Sequence, residues 1–312
     1  MSKSSVYLDP LNQAFAEAAA ALPPLQDLTV EQFRAEVEKL QQHNPIPGVT
    51  RTEFIVDFED GVTTYIFRPD VVFPEYTLAP EARYPTQQEQ CYAVVKWVRT
   101  QGNTHGLSQD LLAVAGDSAG AQLAIAVSIL ASTRKPIVPI SYQVLISPVT
   151  DTVTTDRDTP SEFKYFNGPF LTVPFLRKSI DEYIPDPDDR VSELATPRNI
   201  SSKNAAKQPP TMICNAAVDP LRDDGILFGE ILQRAGVDVS IATFHGQLHD
   251  SVLLEAVRQG ATPKAEVRLI AAQIKRALIE SGDTNGAGKK RRQRAGVEAN
   301  RNADKRTKRK LR

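Results

Sequence analysis

The stretch that most restricts the fold of this chain runs from Leu111 to Ser132. A short apolar run, Leu111 to Ala115, enters Gly116-Asp117-Ser118-Ala119-Gly120, and a helix of small residues, Ala121 to Ser132, follows. Gly-x-Ser-x-Gly between a strand and a helix is the setting of a nucleophile elbow, a sharp turn that holds one serine at its apex. Gly116 and Gly120 are expected to remove side chains where strand and helix approach each other. The backbone N–H of Ala119 is expected to face a developing oxyanion.

The rest of the chain alternates in the way such an elbow requires. Residues 11–22 and 30–42 read as amphipathic helices, the second with N-cap chemistry in Asp27-Leu28-Thr29-Val30-Glu31. Glu53 to Phe58 and Val62 to Phe67 flank Glu59-Asp60-Gly61 as a hairpin, and Val71 to Phe73 is a short strand. Thr86 to Arg99 is helical, residues 110–116 a strand, 118–132 a helix and Ile137 to Ile146 a strand. Residues 151–207 are rich in Asp, Pro and Ser, with one helical stretch near 173–183, and read as an insertion. Thr211 to Ala216, Arg222 to Ala235 and Val237 to Phe244 then resume strand, helix, strand, and Asp250 to Gln259 and Pro263 to Ile279 read as helices. The expected fold is α/β, a doubly wound, mostly parallel sheet covered on both faces.

A serine needs a base to take its proton and a carboxylate to orient that base. With an elbow of this type the carboxylate and the histidine follow the serine in that order. Asp219 directly follows a strand, in Val218-Asp219-Pro220-Leu221-Arg222-Asp223-Asp224, at the sheet edge where open α/β sheets bind ligands. Capping the next helix is the other role open to Asp219. Asp223 and Asp224 suit the N-terminal end of that helix. In Phe244-His245-Gly246-Gln247-Leu248-His249-Asp250, His245 belongs to the strand end, whereas His249 lies beyond the glycine and is the preferred base. His43 and His105 precede the elbow and read as surface residues.

Gly116-Asp117-Ser118-Ala119-Gly120, Asp219-Pro220-Leu221-Arg222-Asp223, Gly246-x-x-His249 and Tyr76-Thr77-Leu78-Ala79-Pro80-Glu81 together resemble the hormone-sensitive-lipase-like branch of the α/β-hydrolases. The resemblance covers roughly residues 6–280. It implies a serine esterase or acetyl-hydrolase of small acyl esters that needs no metal or organic cofactor. Ser118, Asp219 and His249 fall on the family's triad positions. A helical cap is implied too, formed by residues 1–45 and the 151–207 insertion over a hydrolase domain of 46–282. Family members also carry a His-Gly-Gly-Gly-type loop, whose N–H groups bind the oxyanion, after an interior strand. Here Ile66-Phe67-Arg68-Pro69-Asp70 runs almost straight into Val71-Val72-Phe73. One strand–loop–helix segment is missing. Smaller departures are Thr77 for arginine, Ala121-Gln122 for Gly-Asn, and Asp250-Ser251 for Gly-Phe after the histidine. Three readings stay open: a shortened working hydrolase, an impaired relative that binds ligands without turnover, and a sequence lacking a genuine segment.

Composition sets the remaining expectations. Net charge is −1 over 312 residues, yet residues 286–312 hold 12 Lys/Arg against 2 acids. An acidic globule with a disordered basic tail, 283–312, is the simplest description. The clusters Lys289 to Arg294 and Lys305 to Lys310 resemble nuclear-localisation patches, but without aromatics they give no basis for specific nucleic-acid binding. Two cysteines, Cys91 and Cys214, make no disulfide framework, and Met1 to Pro10 shows no secretory h-region. A cytoplasmic protein with a small-molecule ester partner and no membrane span fits these features, with the nucleus as the alternative location.

Overall fold

The computed structural model describes residues 6–41, 48–68, 71–153 and 159–279. The basic clusters and His43 lie outside the described residues. Strands β1 (Thr50–Val56), β2 (Val62–Arg68) and β3 (Val71–Pro74) form an antiparallel sheet in that order. The β1–β2 turn follows the expected Glu59-Asp60-Gly61, with Glu59 and Gly61 at φ 47° and 90°. Val56, Val62 and Ile66 project inward from this sheet onto Val94, Trp97 and Val98 of helix α3, Thr86–Gln101. Before it, α1 spans Pro10–Ala19 and α2 Val30–Leu40. Thr29 and Gln32 form a reciprocal capping box at the start of α2.

The second sheet is parallel, in the order β4 (Ala113–Asp117), β5 (Tyr142–Ile146), β6 (Thr211–Val218) and β7 (Val239–Leu248). Alternate residues of its strands face opposite ways. Leu145 and Ile213 pack with α4 (Ala119–Thr133) and α8 (Arg222–Arg234) through Ile125, Ile129, Phe228 and Leu232. Val144, Met212 and Cys214 face the other side, against Ile270 and Ile274 of a helix over 261–279. Burial on both faces explains the continuous apolar character of these strands. Between β5 and β6 lie three short helices, α5 (Pro160–Lys164), α6 (Val173–Tyr183) and α7 (Ser202–Ala205).

Three expectations are corrected. The strand read over Ile137 to Ile146 begins only at Tyr142, because Pro136 and Pro139 cannot donate to a ladder. The helix read over Asp250 to Gln259 is a chain of turns. Asp250 opens it at φ 56°, and the Ser251 hydroxyl bonds the Leu248 carbonyl at 2.7 Å, so local bonds displace the helical pattern. The sheet is also not continuous. Among the described residues no ladder joins β3 to β4, and only two residues separate β2 from β3. Around the break Val71 and Phe73 are 58% and 52% exposed.

Candidate active site

The elbow forms as the glycine spacing requires, with one correction. A Cβ on Gly116 would lie 2.1 Å from the Gly120 carbonyl oxygen, so the strand can pass under the helix only without a side chain there. A Cβ on Gly120 would find its nearest neighbour at 3.8 Å, an ordinary contact, so Gly120 is not required by space. Ser118 sits at φ 52°, ψ −117°, a conformation that costs a non-glycine residue about 1–3 kcal/mol. Its surroundings hold it there. Its N–H donates to the Ile146 carbonyl at 2.8 Å, and its own carbonyl accepts from Ala121 and Gln122 at 3.2 Å each. The first N–H groups of α4, starting at Ala119, have no intrahelical acceptor and carry the helix's positive end.

Asp219 and His249 meet Ser118 from two other strand ends. The Asp219 carboxylate (Oδ2) lies 2.8 Å from His249 Nδ1, and His249 Nε2 lies 3.0 Å from Ser118 Oγ. Nδ1–H donates to the carboxylate, leaving Nε2 to accept from the serine in the neutral ring. Asp219 uses both of its oxygens, although the cap position of α8 falls to Leu221, with no side-chain cap bond. Its second oxygen, Oδ1, accepts the Leu221 N–H at 2.9 Å and shapes the entry to α8. His249 is buried and Asp219 fully so.

The other polar residues of these loops hold the frame. Asp223 accepts the Ser161 N–H at 2.8 Å, and Asp224 accepts the N–H groups of Thr150 and Asp151 at 3.0 and 3.2 Å. Beyond favouring the helix start, both therefore tie neighbouring loops to α8. His245 is exposed on β7, away from the serine. His105 is not a free surface residue: its ring packs against Phe54 and Trp97. Cys91 and Cys214 are buried free thiols. Among the described residues no group of His, Cys, Asp and Glu is arranged to hold a metal ion.

Sequence reasoning missed the support under His249. Gly246, at φ 70°, lies inside β7 beside a register shift rather than at a turn beyond it. The segment after it is gripped by α1. Asn12, fully buried, accepts the Leu248 N–H at 3.0 Å and the Ser251 hydroxyl at 2.6 Å, and donates to the Gln247 side chain at 3.1 Å. Asp9 closes the set by accepting from Gln247 Nε2 at 2.5 Å. An Asn on an amphipathic helix carries no sequence signal for this role.

Burial disfavours a charged His249, but the carboxylates of Asp219, Asp250 and Asp117 outweigh it and push the imidazole up to about 9. Burial also raises the Asp117 carboxyl, against the opposing pull of His249. This is a site in which acids surround one base.

A sequence profile of the alpha/beta hydrolase fold matches residues 66–253. The chain belongs to the hormone-sensitive-lipase-like α/β-hydrolases. An esterase from Gibberella moniliformis is 32% identical, with 88% of this chain and 99% of the relative aligned. A carboxyl esterase 2 from the fungus Tuber melanosporum superposes with a TM-score of 0.78 at 29% identity, covering 87% of this chain and 99% of the other. A thermostable esterase from Pseudomonas putida gives a TM-score of 0.82 at 26% identity, over 87% and 98%. The Gibberella alignment runs over 319 residues while taking in 88% of a 312-residue chain, so the relative holds residues with no counterpart in this hydrolase.

Proposed function

We propose that this α/β-hydrolase cleaves small carboxylic esters through a Ser118–His249–Asp219 triad and an acyl-enzyme. Ester hydrolysis is the activity that its relatives carry in their names, and the Tuber melanosporum protein is named a carboxyl esterase. The observation behind the finer reading is the unbroken chain of contacts, 2.8 Å from carboxylate to imidazole and 3.0 Å from imidazole to hydroxyl.

In the reaction, neutral His249 takes the Ser118 proton as Oγ attacks the ester carbonyl. Asp219 keeps the Nδ1–H tautomer and stabilises the imidazolium. The Ala119 N–H, at the positive end of α4, binds the oxyanion. His249 then gives its proton to the departing alcohol. Water, deprotonated by the same imidazole, attacks the acyl-serine and releases the acid. A triad of this kind calls on no metal or organic cofactor. The missing His-Gly-Gly-Gly-type loop leaves the oxyanion with fewer donors, and losing one donor lowers kcat by ~10²–10³. That loss favours the second reading, a binding protein of the same fold with little or no turnover.

One experiment separates them. Purified protein is assayed with p-nitrophenyl acetate and butyrate beside Ser118→Ala, and each is labelled with a fluorophosphonate probe. Turnover at least ~10³-fold above Ser118→Ala, with labelling lost in Ser118→Ala and His249→Ala, is the expected result. Wild-type rates equal to those of Ser118→Ala, with no labelling, leave the binding protein.

A further inference from the structure

Asp250 takes no part in the triad, yet its carboxylate touches the triad's base. Its Oδ2 lies 3.3 Å from His249 Nε2, the nitrogen that must receive the Ser118 proton. Two features show that the contact is held rather than incidental. Asp250 is fixed at φ 56°, a conformation that favours glycine. Its other oxygen, Oδ1, is buried with no hydrogen-bond partner, so the carboxyl group has no alternative bond drawing it away.

We propose that Asp250 is a positioning residue that traps a proton on His249 Nε2 and thereby sets the pH at which Ser118 becomes a nucleophile. The argument is one of lone pairs. A carboxylate oxygen and an unprotonated ring nitrogen at this separation would point lone pairs at each other. A single proton between them removes the repulsion, whether it sits on nitrogen or on oxygen. In either form the Nε2 lone pair is occupied, and Ser118 has no base until that proton leaves.

The surrounding charges act in the same direction. Asp219 from the β6–α8 loop and Asp117 from the end of β4 both favour a proton on the ring. Glu266, from the helix over 261–279, interacts with Asp250 and is itself raised by burial to about 8. Burial lifts the Asp250 carboxyl to about 7, with His249 opposing and Asp117 and Asp219 adding to the rise. The imidazole's folded value lies above its ordinary one, so the free base accumulates only as pH climbs through the alkaline range.

The test uses Asp250→Gly, which removes the acceptor and suits the local backbone, with Asp250→Asn as a second variant that keeps the shape. The His249 ring is titrated by NMR in all three proteins, and kcat/KM for p-nitrophenyl acetate is measured from pH 5 to 10. The wild-type ring should titrate well above an ordinary histidine, and Asp250→Gly should lower that midpoint by at least one pH unit. The rising limb of kcat/KM should move with it, a gain of about tenfold at pH 7. A variant that unfolds would show lost chemical-shift dispersion, and the reading would then rest on Asp250→Asn. Identical midpoints in wild type and the folded variants overturn the proposal. It rests on the esterase reading for its consequence in turnover but not for the titration. A shifted ring titration in a protein with no esterase activity would thus sink that reading and keep the proton trap.

Discussion

Gly116 and Gly120 occupy equivalent places in the sequence motif and unequal places in space. A methyl group on Gly116 must displace the backbone of the helix start, which costs about 1–3 kcal/mol where packing is tight. One on Gly120 meets only the Asp117 carboxylate at contact distance and improves helix propensity. Gly116→Ala should therefore lower the thermal midpoint and remove most esterase activity. Gly120→Ala should leave both within a small margin, as differential scanning fluorimetry and a p-nitrophenyl acetate assay would show. At this scale the meeting of Ser118, Asp219 and His249 was legible from their order and their places after strands, although the turn expected at Gly246 proved to be part of β7. The double duty of Asp219, one oxygen to the helix entry and one to the imidazole, was not, because sequence offers those roles as alternatives. The conformation of Asp250 was hidden for a similar reason. Asp-Ser after a histidine also fits the start of a helix, and only the bonds of Ser251 and the left-handed backbone at 250 decide against it.

Among the elements, α1 does more than cover apolar surface. The alternation of residues 11–22 revealed an amphipathic helix, and Phe15 and Ala16 do pack on Val218, Leu248 and Val257. Its polar contribution, Asn12, reads in the sequence as one more exposed residue. Asn12→Ala would strand the Leu248 N–H and Gln247 Oε1, at about 1–3 kcal/mol for each group left buried without a partner, while the Ser251 hydroxyl keeps the Leu248 carbonyl. Because those groups adjoin His249, kcat should fall by about tenfold or more with KM little changed. Steady-state kinetics beside a thermal melt checks this. A melt that drops while kcat holds would assign Asn12 to stability alone.

For the molecule as a whole, the divided sheet matters most. That the link is too short for the family's usual strand, loop and helix could be read from the two residues between Arg68 and Val71. Whether the remaining strands would close over the gap could not, since closure depends on where α3 holds the antiparallel sheet. Among the described residues they do not close, and β4, the strand that leads into Ser118, forms an outer edge of the parallel sheet. Edge amides exchange readily and β-strands buried on both sides do not. Hydrogen–deuterium exchange should show Ala113 to Asp117 losing protection before Tyr142 to Ile146 and Thr211 to Val218. Equal protection would mean that something covers this edge in solution.

The grip of Asn12 on Leu248 joins positions 236 residues apart in the chain. The serine's bend, by contrast, is built from immediate neighbours and the β5 strand end. Synthesis therefore delivers every residue of the Ser118 bend long before the segment that seats His249. The His249 ring is held beside Ser118 only when the last third of the polypeptide returns to the first helix.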